Sequence, residues 1–299
     1  MATFQRNLSI EMMQALQADP LFQNRLLPDI LQEDHKVFPA IRSNEISFYY
    51  KGRNLFKYNG KFSTHRKFGV VPEGAKTGYI FQDDLGSFTI KSSFYDAYED
   101  IKSQCALYRE KESNGVSALY AYSGADRCQH NPVVLLDIEV SLSGDDSDEE
   151  TLENAEHTVD RIDILLFDTA SRQLCFCEAK HFSNGELWSQ SGTKPAVCKQ
   201  IASYHDTIAK NYDTILSQYQ NYVRCFNQLF QAELPLPEKI FPKAGLLIFG
   251  FDKNQLNKIK ALLENDGSLD GIHYYTVGTL TAKSSSTPQI ETLYQKLTK

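Results

Sequence analysis

Three charged residues on two neighbouring segments of this sequence have the types and spacing needed for joint chemistry. Asp163 lies in one strand-like segment, and Glu178 and Lys180 lie in the next. The midpoint between Asp163 and Glu178 falls in the turn at 170–171, so a symmetric hairpin places these carboxylates opposite each other. Strand alternation puts Glu178 and Lys180 on the same face. The sequence therefore predicts a cluster of two carboxylates and one lysine.

Such a cluster is unfavourable for folding alone, because like charges directly across a strand pair repel. A divalent cation would remove the repulsion, since Mg²⁺ and Mn²⁺ bind one or two carboxylates together with water and phosphate oxygens. Lys180 could then orient or help deprotonate an attacking water and stabilise developing negative charge. The alternative is a surface ion-pair ladder, which adds only a fraction of about 1 kcal/mol to the free energy of unfolding.

The surrounding segments predict the fold that positions this cluster. From about residue 92, apolar periodicity predicts a mixed sheet flanked by helices, an α/β domain over 91–299. The predicted strands are 132–142, 160–168, 173–182, 243–251 and 272–278, and the predicted helices are 92–112, 196–209, 212–231, 254–265 and one at the C-terminal end. Residues 1–90 read as a smaller N-terminal α+β module, with short helices over 8–33 and an aromatic meander over 45–70.

The motif Asp163…Glu178-Ala179-Lys180 resembles the signature of the PD-(D/E)XK nuclease superfamily. That superfamily, which includes restriction endonucleases and RecB-like exonucleases, carries an Asp on one strand and (D/E)-x-K on the next. The predicted order of helices and strands also looks like its common core. The resemblance covers about residues 92–280 and says nothing about the first ninety.

A second motif agrees with the RecB-like branch, in which a following helix carries Q-x-x-x-Y. Gln200 and Tyr204 match it and, four residues apart, share a helix face. The resemblance implies that Asp163 and Glu178 hold the metal, that Lys180 assists the reaction, and that the helix pair lines the groove beside the metal. In the alternative interpretation Tyr204 simply packs into the core.

What the resemblance implies as a whole is a restriction-endonuclease-like fold and Mg²⁺- or Mn²⁺-dependent hydrolysis of phosphodiester bonds. The expected substrate is DNA, and the family suggests a role in restriction or phage defence. RNA or tRNA substrates remain open. The competing class is a non-catalytic nucleic-acid- or protein-binding module that retains the nuclease fold. The intact acid-acid-lysine set favours the enzyme, since a site without a catalytic function would be free to lose one of the three residues.

Two metal-ligand assignments stay open. Asp160 begins the sequence DRID, and RecB-like proteins often use the first Asp of a similar D-R-x-D, whereas hairpin symmetry favours Asp163. The superfamily also tends to supply an acidic residue from the first helix or strand. Glu139 is the preferred candidate, with Glu99 behind it. Glu139 shares a strand face with Asp137, which favours a polar edge facing the site.

A basic stretch in the N-terminal part is a candidate substrate surface. Its cations, with no acidic residue among them, are Lys51, Arg53, Lys57, Lys61, Arg66 and Lys67. Because Phe56, Tyr58 and Phe62 alternate with them, the stretch could bind phosphates and stack on unpaired bases. A half-buried sheet with aromatics inward and lysines outward is an equally good interpretation.

Charge and composition exclude little. The net charge is −7, and the segment 144–157 carries seven acidic residues without any Lys or Arg, so the remainder is balanced. This acidic segment is expected to be a solvated loop. There is no apolar run of roughly 20 residues and no signal peptide, so a cytoplasmic protein without membrane attachment is expected. The six cysteines form no CxxC pair and are expected to be buried, reduced thiols.

Partners are only weakly indicated. The sequence contains no P-loop and no GxGxxG element, so any ATP-driven step would need a partner protein, such as another component of a defence system. A homodimer would suit double-strand cutting, although no residue pattern demonstrates one.

Overall fold

The computed structural model describes residues 4–31, 37–68, 78–82, 93–125, 131–142, 161–188, 194–264, 269, 271–280 and 287–299. Within these ranges the chain is a mixed α/β structure with two sheets and flanking helices. The acidic segment 144–157 and Asp160 lie outside the described residues.

The first sheet is antiparallel, and its five strands follow one another in sequence order. They are β1 (Val37–Ile41), β2 (Ile46–Tyr50), β3 (Arg53–Tyr58), β4 (Phe62–His65) and β5 (Tyr79–Phe81). The predicted Asn59-Gly60 hairpin is present, because Tyr58 pairs with Phe62. Gly60 has a φ of 103°, which a residue with a Cβ rarely adopts. The predicted meander over 45–70 corresponds to β2, β3 and β4, and the sheet has one further strand at each end, β1 and β5.

The second sheet combines an antiparallel meander with a parallel half. Its order is β11-β10-β8-β7-β6, with the short β9 pairing with one end of β8. The strands are β6 (Val133–Ser141), β7 (Arg161–Asp168), β8 (Gln173–His181), β9 (Lys239–Ile240), β10 (Gly245–Phe249) and β11 (Tyr274–Val277). Every strand predicted beyond residue 130 is present, and among the described residues of this part of the chain β9 is the one strand that was not predicted.

Eight α-helices are described, and none of them is long and apolar enough to cross a membrane. They are α1 (Ile10–Ala18), α2 (Leu27–Leu31), α3 (Phe94–Cys105), α4 (Lys111–Ser123), α5 (Ala196–Lys210), α6 (Tyr212–Phe230), α7 (Leu256–Glu264) and α8 (Thr287–Leu297). A π-helical turn over Phe22–Leu26 leads into α2. The predicted helix 92–112 divides into α3, a 3₁₀ turn and the start of α4, and Tyr108 is exposed rather than on the apolar face.

The two sheets share one hydrophobic core. A single cluster of buried side chains includes Phe48 and Phe56 from the first sheet, Phe176 from the second, and Tyr219 and Phe226 from α6. The strand β8 divides its side chains between two clusters, as alternation requires. Its odd-numbered residues pack under α4 and α8, and its even-numbered residues point to the opposite face. The five described cysteines are free.

A buried ion network ties the N-terminal segment to β6. Asp137 is fully buried and accepts hydrogen bonds from Arg42 Nη1 at 2.7 Å and from the Tyr219 hydroxyl at 2.9 Å. Arg6 Nε lies 3.5 Å from Asp137 Oδ2, the oxygen that also accepts the hydrogen bond from Tyr219. The expectation that Asp137 marks a polar, site-facing edge is therefore wrong. The carboxylate can be buried because cations and a hydroxyl satisfy it inside the core.

Candidate active site

The register of β7 and β8 brings Asp163 and Glu178 to the same level. Ile164 pairs with Cys177, and Asp163 and Glu178 are the next residues along the two strands. Beyond this pair, Asp163 Oδ2 accepts a hydrogen bond from the backbone N–H of Ala179 at 2.7 Å. The predicted hairpin symmetry is thus present in the strand pairing, and the aspartate bridges the two strands.

Lys180 lies between two carboxylates. Its Nζ is 2.8 Å from Glu178 Oε1 and 2.7 Å from Glu186 Oε2. The Glu178 residue is only 2% exposed and the Lys180 side chain 8%, whereas the Glu186 side chain is 49% exposed. Glu186 lies in a 3₁₀ turn, Gly185–Leu187, just after β8, and sequence reasoning missed it.

The second oxygen of Glu178 has no such partner. Glu178 Oε2 is buried and accepts no hydrogen bond of regular geometry within the described part of the chain, although the Tyr204 hydroxyl is close enough to lower the pKa of the Glu178 carboxyl. A buried acceptor without a donor is costly and rare in native proteins. An oxygen in this state, beside a second carboxylate, is suited to bind a cation.

The electrostatics of the cluster follow from burial and from like charges. Burial raises the pKa of Asp163 well above its usual range, and the carboxylates of Glu178 and Glu139 raise it further. Burial also raises the pKa of Glu178, against the opposing effect of the Lys180 ammonium. For Lys180, burial acts to lower the pKa, but the contact with Glu178 and Glu186 outweighs it and raises the pKa. The cluster thus holds a protonated lysine and an excess of carboxylates.

Glu139 lies on β6, the strand that pairs with β7 on the side away from β8. Because Ile138 pairs with Ile164 and Val140 with Ile162, Glu139 occupies the position beside Asp163. Its φ of 50° is in the left-handed region, which costs a non-glycine residue of order 1–3 kcal/mol and is frequent at functional sites. The structure therefore brings Glu139 towards Asp163. Glu99, the second candidate, is exposed on α3.

Gln200 and Tyr204 lie on α5 and act on β7 through one hydrogen-bond chain. Gln200 Nε2 donates to the Tyr204 hydroxyl at 2.8 Å, and this hydroxyl donates to the Arg161 carbonyl at 2.8 Å. Tyr204 is buried, as the core interpretation requires, but its polar end anchors the strand two residues before Asp163. Gln200 Oε1 is buried and lacks a described donor.

Glu112, in the first turn of α4, is an acidic residue that sequence reasoning did not select. Its Oε1 accepts hydrogen bonds from the His181 backbone N–H at 2.8 Å and from Asn184 Nδ2 at 2.7 Å. Its charge also acts to raise the pKa of Glu178. The signal available in the sequence was an acid in the first turn of a helix before β6, but the predicted helix 92–112 ended at this residue. His181 itself hydrogen bonds Ser183 Oγ through Nδ1, away from the cluster.

The basic stretch around β2 to β4 has its aromatics inside the protein. Phe56, Tyr58 and Phe62 are buried in the main core, so stacking of bases on these rings is excluded. Arg53 forms an ion pair with Glu110, and Lys57 Nζ lies 3.6 Å from Glu45 Oε1. Lys51, Lys61, Arg66 and Lys67 remain at least partly exposed. The half-buried sheet describes the aromatics, and phosphate binding by the cations stays a prediction.

No group of three or more His, Cys, Asp or Glu side chains converges as a metal-ligand cluster among the residues that the structure describes. The side chains that fit a metal are a pair, Asp163 and Glu178. Mg²⁺ usually keeps several waters and binds one or two carboxylates together with substrate phosphates. The orphaned Glu178 Oε2 and the repulsion between the two carboxylates agree with such a site.

Comparison with known proteins gives no match, whether to family models, to curated proteins or to solved structures.

Proposed function

We propose that this protein is a metal-dependent nuclease that hydrolyses phosphodiester bonds, with DNA as the expected substrate. The observation that carries the proposal is the state of Glu178. One of its oxygens binds the ammonium of Lys180, and the other is buried beside Asp163 without a hydrogen bond of regular geometry from the described residues, with only the Tyr204 hydroxyl nearby. A purely structural ion pair does not require Asp163, whose partly buried carboxylate is repelled by that of Glu178.

Asp163 and Glu178 would hold a Mg²⁺ or Mn²⁺ ion, with Glu139 and Glu112 as candidates for a further acidic group. The ion, when bound, would supply Lewis-acid stabilisation and a more acidic water. Its charge also answers the electrostatic problem of the site, because burial raises the pKa of both carboxyls, and the neighbouring carboxylates of Glu178 for Asp163 and of Glu112 for Glu178 raise them further.

Lys180 would act through its charge. Its contacts with Glu178 and Glu186 favour the ammonium form, which donates hydrogen bonds and stabilises negative charge on a phosphate. A protonated lysine does not accept a proton, so the geometry supports transition-state stabilisation rather than general-base catalysis. Gln200 and Tyr204 would hold β7 at Arg161 and so keep Asp163 in position.

The test is cleavage of labelled single-stranded DNA, double-stranded DNA and RNA in Mg²⁺, Mn²⁺ or EDTA. Wild type is compared with Glu178→Gln and Lys180→Ala, and with Glu233→Gln and Lys210→Ala as matched changes at exposed positions. Metal-dependent cutting that is lost in the first two variants and kept in the controls is expected. No cutting of any substrate, together with DNA binding that weakens in Lys57→Ala and Lys61→Ala, would favour a non-catalytic binding module.

A further inference from the structure

The only tryptophan of the chain lies directly beyond the candidate site. Trp188 follows the 3₁₀ turn that carries Glu186, and its Nε1 donates a hydrogen bond to the Phe182 carbonyl at 3.2 Å. The rings of Phe182 and Trp188 are 5.2 Å apart and nearly perpendicular. Both side chains are partly exposed, while Leu187 between them is buried. The result is a pair of aromatic rings fixed at the protein surface.

A lysine from another element lies over these rings. Lys258, on α7, places Nζ 4.1 Å from the centroid of the Trp188 ring and 5.6 Å from that of Phe182. The helix is anchored beneath by Ile259 and Leu262, and Lys258 itself is exposed. Among the described residues, no carboxylate forms an ion pair with this lysine.

The aromatic pair lies on the same side of the sheet as the charged cluster. Phe182, one residue beyond the end of β8, continues the strand pairing through a hydrogen bond from its N–H to the Phe249 carbonyl at 2.7 Å, and it follows Lys180 by two residues on the same face. Leu246 and Ile248, the β10 residues that pair with Glu178 and Lys180, pack into the cluster against which Phe182 and Trp188 also pack. Glu186, which contacts Lys180, is only two residues before Trp188, so the indole lies next to the segment that borders the charged cluster.

We propose that Phe182, Trp188 and Lys258 form a subsite for an unpaired nucleobase of the polynucleotide strand that reaches the charged cluster. The base stacks on the Trp188 indole in place of the lysine side chain, and the freed ammonium of Lys258 binds the neighbouring phosphate. The exchange is favourable, because base–aromatic stacking is stronger than an exposed cation–π contact. The inference rests on the proposed nuclease function for its substrate class, and it adds that the strand is unpaired beside the site.

Trp188 is itself the reporter for the test. The intrinsic fluorescence of the full-length protein is titrated in EDTA, where cleavage does not occur, with oligothymidylate, oligouridylate and a DNA duplex. Quenching by a single strand, and much less by the duplex, is expected. Oligodeoxyuridylate, which differs from oligouridylate in the sugar alone, is titrated as well, and the stronger of these two identifies the sugar. Binding that is detected by anisotropy of a labelled strand without any quenching, or no binding to any single strand, overturns the subsite.

Variants separate stacking from packing. By anisotropy, Trp188→Ala should raise the Kd for the single strand by about fivefold or more, and Trp188→Phe should restore most of the affinity. Lys258→Ala should lower the slope of log Kd against log salt by about 0.7, and Lys260→Ala, an exposed lysine on the same helix, should not. If Lys258→Ala behaves like Lys260→Ala, the subsite is wrong even where Trp188→Ala fails to fold. Quenching in EDTA together with no cleavage in the separate Mg²⁺ and Mn²⁺ assay would reject the nuclease and keep the subsite, and cleavage in that assay without quenching in EDTA would do the reverse.

Discussion

Asp163 Oδ2 accepts a hydrogen bond from the backbone N–H of Ala179 at 2.7 Å, just beyond the last paired residues of β7 and β8. A side chain here takes the part that a backbone carbonyl plays in a regular ladder. The contact fixes the aspartate between the strands, next to Glu178. Two carboxylates are consequently held close together although burial and repulsion raise both of their pKa values.

Divalent cations should stabilise the folded protein through this pair. A ligand that binds only the folded state at a hundred times its Kd adds about 2.7 kcal/mol to the free energy of unfolding. We expect Mg²⁺ or Mn²⁺ to raise the Tm of wild type and to leave that of the Asp163→Asn, Glu178→Gln double variant unchanged. Differential scanning fluorimetry with and without EDTA measures this. An equal shift in both proteins would place the cation elsewhere.

The same measurement can identify the additional acidic group. Glu139→Gln and Glu112→Gln are each compared with Glu99→Gln, which changes an exposed residue of α3. Glutamine at 112 keeps an acceptor for the His181 N–H and for Asn184, so the turn after β8 should survive the change. The variant whose cation-induced Tm shift falls contributes a ligand or a charge to the site. A fall in Glu99→Gln as large as in the others would remove the assignment.

The raised pKa of Asp163 predicts how the stability of the metal-free protein depends on pH. Its folded pKa is above the ordinary unfolded value of about 4, so the folded state holds the proton more tightly. The free energy of unfolding should therefore fall as pH rises from about 4 towards the folded pKa. Asp163→Asn should remove that part of the fall and be more stable than wild type at neutral pH.

Denaturant unfolding in EDTA at several pH values measures how the free energy of unfolding depends on pH. Asp206→Asn, an exposed carboxylate on α5, is the control for the change in net charge. A wild-type profile that rises over this interval, or Asp163→Asn and Asp206→Asn profiles that coincide, would contradict the electrostatic account.

Lys180 should be important for folding as well as for the proposed catalysis. Removing it leaves Glu178 buried without its ammonium partner, and breaking a buried pair in this way costs about 3–5 kcal/mol. Half-exposed Arg172 forms an ion pair with Glu238, and Arg172→Ala should cost less than about 1 kcal/mol. Urea unfolding of both variants decides the point, and equal losses would mean that the Lys180 pair is solvated.

Tyr204 should affect activity beyond its effect on stability. Tyr204→Phe removes the donor to the Arg161 carbonyl and should cost about 1–2 kcal/mol. Tyr222→Phe is the matched control, because the Tyr222 hydroxyl donates to the Leu136 carbonyl in the core at 2.8 Å. We expect a similar stability loss in both variants but a lower kcat only in Tyr204→Phe. An equal effect on kcat would reduce Tyr204 to a packing residue.

The strands of the second sheet could be predicted because their signals are local. Alternation along β8 and the turn before it predict that Asp163 meets Glu178, and the four-residue spacing predicts that Gln200 meets Tyr204. The environment of Asp137 could not be predicted in this way. Its cations come from Arg6 and Arg42, which are distant in sequence and are brought together only by tertiary packing.

Glu112 and Glu186 were missed for related reasons. Glu112 joins the site because α4 packs against β8, and no periodic pattern in one segment reports on that approach. Glu186 reaches Lys180 through a 3₁₀ turn, whose short length leaves no period to detect. For the aromatics of the basic stretch, the sequence left two interpretations open, and the structure supports the half-buried sheet. Alternation gave their common face correctly, but it could not say whether that face meets water or a helix.

The Asp137 network has a consequence for how the proposed activity could be lost. Its carboxylate, buried beside the strands that carry the charged cluster, depends on Arg6 in the extended segment before α1. A protease that removed the residues ahead of Leu8 would leave every proposed catalytic side chain in the polypeptide and yet strip the core of a neutralising charge. We expect such a clipped chain to lose its fold at lower temperature, so inactivation could proceed from the N-terminus without touching the site.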